Sequence, residues 1–118
     1  MPLIHIKSLP LDESVDIDAT IQNLSSSFAA ANNIGIEHVT VTWEFFSHHA
    51  KGGEVDSDQI IVDLLVPDFN SADAIEKMLV SIAKHLSQLI EVSIDSVFIN
   101  ARQAHAGMVF DKGEVVKW

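Results

Sequence analysis

Residues 36–46 read IEHVTVTWEFF, a run dense in β-branched and aromatic residues. Side chains of that kind suit the pleated, half-buried surface of a strand. Residues 93–100, SIDSVFIN, have the same character. Ile36 and Ile94 lie 58 positions apart (94 − 36), and the same shift sets Val39 on Val97 and Val41 on Ile99 with no gap. Upstream it sets Ile17 on Ile75, Ile21 on Leu79, Leu24 on Ile82 and Phe28 on Leu86, all at helical spacing. Further out, Leu3-Ile4 falls on Ile61-Val62. A pattern that returns at one fixed shift through strand, helix and strand indicates a repeated supersecondary unit.

The elements follow from this repeat. LIHIKSL (3–9) reads as a strand, with Ile4 and Ile6 on one face and Leu3 and His5 on the other. Ile17, Ile21, Leu24, Phe28 and Ala31 form the apolar stripe of a helix that stops before Gly35. SHHAKGGEVDSD (47–58) is a polar loop or hairpin, and QIIVDLLV (59–66) is a near-continuous apolar strand. Asn70 or Ser71 caps a second helix, whose stripe is Ile75, Leu79, Ile82, Leu86 and Leu89. The tail, GMVFDKGEVVKW, reads as a small hairpin around Asp111-Lys112-Gly113.

The expected fold is α+β. Two pseudo-repeated βαβ units, about 1–46 and 59–104, form a four-stranded mixed sheet with two helices on one face, followed by the hairpin. All 118 residues fit one domain. The strands carry apolar residues on both sides, and no third helix is available to cover the second face. Another copy of the chain is the expected cover.

Composition narrows the function. Seven basic residues against 17 acidic ones leave a net charge of −10. Nucleic acid and anionic membrane surfaces are therefore poor partners, because both are bound through basic patches. There is no cysteine, which excludes disulfides and thiolate chemistry. No apolar run reaches the roughly 18 residues of a membrane span, and the N-terminus lacks a signal-peptide pattern. A cytoplasmic location is expected. No motif for a metal or cofactor is present, and none is expected.

Pro2 directly follows Met1 and opens the first strand. Proline is tolerated at a strand start, where no N–H is needed. Removal of Met1 would instead give it a free secondary amine, a potential base or nucleophile.

The order of elements, the repeat and Pro2 together resemble the tautomerase superfamily. VFIN (97–100) is similar to the fourth strand of its macrophage migration inhibitory factor group, with Phe98 in place of a tyrosine and Asn100 matching an asparagine. Gly52-Gly53 stands where that group has a Gly-Gly, and the tail is similar to that of an uncharacterised bacterial branch. The resemblance implies a homotrimer that uses Pro2 as general base on a small carbonyl or carboxylate compound, a keto or enol acid. It leaves two alternatives: a non-catalytic trimeric ligand-binding or scaffold protein, and a hydratase or dehalogenase acting at the same site.

The candidate substrate-binding residues are Arg102, Asn100, Phe98, Lys51 and His49. Arg102 is the sole arginine, and its planar guanidinium suits a carboxylate. Asn100 can donate to a substrate carbonyl, and Phe98 can line a pocket. Lys51 and His49 can reach a neighbouring subunit from the 47–58 loop. The migration inhibitory factor group has a lysine near the position of Ile34, and the shorter members have an arginine where this chain reads LPLDES. Cations are thus missing from two customary places.

Overall fold

The computed structural model describes all 118 residues. Strand β1 (Leu3–Ser8) leads through α1 (Ile17–Ala31) to β2 (Thr40–Phe45). Strand β3 (Ile60–Pro67) leads through α2 (Ala72–Leu89) to β4 (Val97–Ala104). Strands β5 (Val109–Asp111) and β6 (Glu114–Val116) form a separate hairpin. The sheet order is β2-β1-β3-β4, with β1 parallel to β2, β3 parallel to β4, and β1 antiparallel to β3.

The repeat holds at the level of register. Leu3 pairs with Thr40 and Ile61 with Phe98, the same pairing 58 residues on. Asn33 and Glu91, related by that shift, both adopt a left-handed backbone, with φ of 53° and 54°. Each is followed by a short 3-10 turn, Ile36–His38 and Ile94–Ser96. Those turns correct two boundaries. The second strand starts at Thr40 rather than Ile36, and the fourth runs from Val97 to Ala104, so Arg102 lies within it. At residues 36–39 β-branched composition imitated a strand where the chain was still turning out of the helix; the fourth strand starts with VFIN and runs four residues past it.

Helix caps agree with the local chemistry. The Asp16 carboxylate accepts the Ala19 N–H at 3.1 Å, and the Ser71 hydroxyl accepts the Ala74 N–H at 3.1 Å. Both helices cover one sheet face. There Ile4 and Ile6 of β1 and Ile60, Val62, Leu64 and Val66 of β3 meet Leu24, Phe28, Met78, Ile82 and Leu86 in a single core. The α1 stripe is rotated slightly from the expected one: Thr20 and Ala29 are buried, while Ile17, Ile21 and Ala31 are only half-buried.

The other face differs from expectation. Of its fourteen positions by alternation, six are apolar: Leu3, Ile61, Leu65 and Phe98, with Pro67 and Ala104 at one end. The rest is a polar ladder. His5 Nδ1 bonds Thr42 Oγ1, and Lys7 Nζ lies 3.9 Å from Asp63. Asn100 Nδ2 donates to the same carboxylate at 3.3 Å. Alternation sends the polar members of each strand outward, so the uncovered face is not the apolar surface that the strand composition suggested. The radius of gyration is nonetheless 14.9 Å, above the ~13.5 Å usual for a chain of this length. The chain is elongated, and the hairpin and the 47–58 loop carry exposed Met108, Phe110 and Val55. No helix is long and apolar enough to cross a membrane.

Candidate functional site

Pro2 lies one residue ahead of β1. Its carbonyl accepts the Thr40 N–H at 3.0 Å, which ties the chain start to the beginning of β2. By alternation Pro2 falls on the helix-covered face with Ile4 and Ile6, and it is buried. It lines a cavity of about 450 Å³ with Met1, Ile34, Pro67, Phe69 and Met78. The opposite wall is the C-terminal hairpin, through Val109, Asp111, Lys112, Glu114, Val116 and Trp118. Met1, one of the lining residues, carries the N-terminal amine. Burial holds it below its ordinary pKa; Asp111 pulls the other way, and Lys112 adds to the lowering.

The hairpin is pinned to the body by Asp68. Its carboxylate accepts Trp118 Nε1–H at 2.6 Å and bonds His105 Nδ1 at 2.8 Å. These two hydrogen bonds, Trp118's first, hold the Asp68 carboxyl below its usual range. Trp118 also packs edge-on against Phe69, with ring centroids 5.9 Å apart. The Gly107 N–H donates to the Val116 carbonyl at 2.8 Å and closes the base of the hairpin. At its tip Lys112 and Gly113 both have positive φ, 52° and 83°, the backbone of a two-residue turn that suits the strand twist.

The residues singled out from sequence do not converge within one chain. Phe98, Asn100 and Arg102 stand side by side on the uncovered face of β4. Arg102 shares a row with Leu3 across β3, so it is at Pro2's end of the sheet but on the opposite face. It is exposed and forms no ion pair within the chain. Asn100 is engaged by Asp63.

The other two lie beyond the far end of β1, roughly 20 Å away. His49 stacks on Phe46 with ring centroids 5.1 Å apart and bonds Gln59 Oε1 at 2.9 Å. Lys51 sits at a tight turn, where its backbone exchanges two hydrogen bonds with Glu54 across Gly52 and Gly53.

Sequence reasoning missed the hairpin wall. It located the turn at Asp111-Lys112-Gly113 but not where that turn docks. One signal was available: an isolated two-stranded hairpin is marginal in water, so a tail with Val109, Val116 and Trp118 must pack on something. His38, which read as a surface residue, lies at the cavity's edge beside Glu37, and His105 anchors the hairpin.

These features define a fold: two βαβ units joined through the antiparallel pair β1 and β3, with Pro2 in the lining of a cavity. Comparison with solved structures agrees. The chain superposes on Pt0534 inactivated by 2-oxo-3-pentynoate with a TM-score of 0.87 at 8% identity, covering 97% of this chain and 94% of that one. A fused 4-OT, a symmetric trimer, matches with a TM-score of 0.86 at 10% identity and the same coverage, 97% and 94%. Macrophage migration inhibitory factor from Oncomelania hupensis matches with a TM-score of 0.82 at 13% identity, covering 99% of this chain and 83% of that one. No protein-family model and no curated protein matches the sequence. At such identities the likeness establishes the fold alone.

Proposed function

We propose that this single-domain protein is a tautomerase-like isomerase in which Pro2, freed by removal of Met1, is the general base on a small keto or enol acid. The observation that carries this reading is the position of Pro2: buried at the chain start, in the lining of a largely apolar cavity. A secondary amine that is neutral near pH 7 can take a proton from the carbon α to a carbonyl. The electron pair moves onto the carbonyl oxygen, and the protonated amine then returns the proton to another carbon or to oxygen. The substrate leaves as a tautomer with no net change in atoms or charge.

The developing enolate needs a donor or cation. We assign that role to Phe98, Asn100 and Arg102 of a neighbouring protomer in a homotrimer, with Asn100 and Arg102 as the donors and Phe98 as an apolar wall, and with Lys51 and His49 reaching across from the 47–58 loop. The elongated shape and the exposed apolar residues on the hairpin and loop support assembly, as does the trimeric fused 4-OT of the same fold. The cysteine-free composition suits the cytoplasm.

The test is intact-mass analysis of untagged protein, followed by phenylenolpyruvate and 2-hydroxymuconate assays with Pro2→Ala as control. Loss of Met1 together with a rate that collapses in the variant is the expected result. Equal rates in the two proteins would sink the mechanism, and a stable monomer by light scattering would remove the trimer.

A second reading is a non-catalytic ligand-binding protein of the same fold. It is favoured by one observation: Met1 itself lines the cavity, and while it is attached the Pro2 nitrogen is an amide without basicity. A mass that retains Met1 selects this reading.

A further inference from the structure

The cavity has an uneven distribution of charge. The body of the chain lines it with Pro2, Ile34, Pro67, Phe69 and Met78, which are apolar, and with the uncharged Asn70. Apart from His38, every ionisable side chain lining it comes from the hairpin tip, as Asp111, Lys112 and Glu114. Asp111 and Glu114 are the pair that closes the hairpin, directly opposite each other in register. Like charges placed so are unfavourable for the hairpin itself. Lys112 stands between them in a left-handed backbone conformation, with φ of 52°, which is uncommon for a residue other than glycine, asparagine or aspartate. Neither choice helps the turn. Both bring charge to a cavity whose remaining lining within this chain offers no arginine and no second lysine. The tip is held in place by the pinned base of the hairpin, through Trp118 on Asp68.

We propose that the hairpin tip is the charged specificity element of the Pro2 cavity: Lys112 receives a single anionic group of the substrate, and Asp111 and Glu114 turn away a second. This rests on the cavity being the substrate site. The substrate class that follows is a monoanionic carbonyl compound with an apolar body set against Phe69, Met78 and Trp118, in preference to a dicarboxylate. Because Asp111 and Lys112 face the same amine with opposite signs, removing one must act on that amine in the opposite direction from removing the other.

The experiment uses the whole protein and three variants: Lys112→Asn, which suits the left-handed turn position, Asp111→Asn, and Asp111→Asn combined with Glu114→Gln. The first readout is the pH dependence of N-terminal acetylation by acetic anhydride, followed by mass spectrometry; it reports the amine whether Met1 or Pro2 carries it. Losing the cation in Lys112→Asn raises the amine pKa, and losing the anion in Asp111→Asn lowers it. The second readout is the kcat/KM ratio of phenylenolpyruvate, with one carboxylate, to 2-hydroxymuconate, with two. The double variant lowers that ratio about tenfold, as expected for relief of charge repulsion at contact distance. Lys112→Asn raises KM for both.

If neither compound is turned over, the Pro2 reading fails, and calorimetric binding of the same two acids replaces the ratio. Acetylation profiles that do not move in opposite directions, or a ratio unchanged in the double variant, overturn the proposal.

Discussion

The two ends of the sheet are built on the same frame and differ in what closes them. At one end stand Pro2, Ile34 and Pro67; shifted by 58 residues, their counterparts are Ile60, Val92 and Leu9. Both trios line a hollow, of about 450 Å³ at the Pro2 end and about 240 Å³ at the Ile60 end. The repeat therefore produces two related concavities. The first contains Pro2, where the second has Ile60 at the start of β3. Only the first is faced by the hairpin. The second is closed by the local segments Leu9–Leu11 and Asp56–Asp58. The repeat supplies two concavities, and the segments that line each make them chemically different.

The sharpest way to break this comparison is to substitute the two equivalent residues. Pro2→Ala is expected to lower kcat by about 100-fold or more, the usual share of a general base, with little change in melting temperature. Ile60→Ala should do the reverse. That side chain is 1% exposed, so its truncation costs about 2–5 kcal/mol of stability, while kcat at the other end is retained. Parallel losses of rate in both variants would mean that the ends are not functionally distinct.

A second pair tests the symmetry of the core. Phe28 and Leu86 are fully buried and related by the same shift. Phe28→Ala should cost about 3–5 kcal/mol and Leu86→Ala about 2–5 kcal/mol in urea unfolding. A cost below about 1 kcal/mol for either, well under that range, would show that one half folds without leaning on the other.

Asp68→Asn should act on the hairpin alone. Amide exchange in residues 109–116 is expected to quicken while that of β1 and β3 stays slow. The pH dependence has a definite sign. The folded-state carboxyl is lowered, chiefly by the Trp118 hydrogen bond and next by His105. The pinned hairpin is therefore favoured fully above the ordinary carboxylate range, near ~3.9, and loses that stabilisation as the pH falls through the depressed value. Protection at 109–116 that is insensitive to acid in the unsubstituted protein would contradict this.

The smallest effect is expected at the other tight turn. Gly53 has φ of 82°, with open space where an added methyl group would sit. Gly53→Ala should therefore cost about 1 kcal/mol through backbone strain alone and leave the Pro2 cavity untouched. The same methyl at Gly113, φ 83°, strains a turn that carries cavity residues and should disturb both stability and rate.

Much of this molecule was legible in its sequence because burial imposes a period. Ile4, Ile6, Leu24, Phe28, Ile82 and Leu86 all read as inward-facing, and all are fully buried. The repeat was legible for the same reason, as two copies of one burial pattern. The start of the second strand was not, because Ile36 carries a strand-like side chain on a turning backbone. The uncovered sheet face was misjudged because apolar totals per strand conceal which positions alternate outward.

Sequence alone determined the mixed four-stranded sheet, its two helices and the proline at the chain start, since hydrophobic periodicity and chain order are local properties that a single burial rule converts into architecture. Tertiary structure alone decided which residues share the cavity with that proline. Asp111 and Lys112 are more than a hundred positions from Pro2, and no local period relates them. Their meeting depends on where a short hairpin finds its partners, through one carboxylate, one indole and the edge of Phe69.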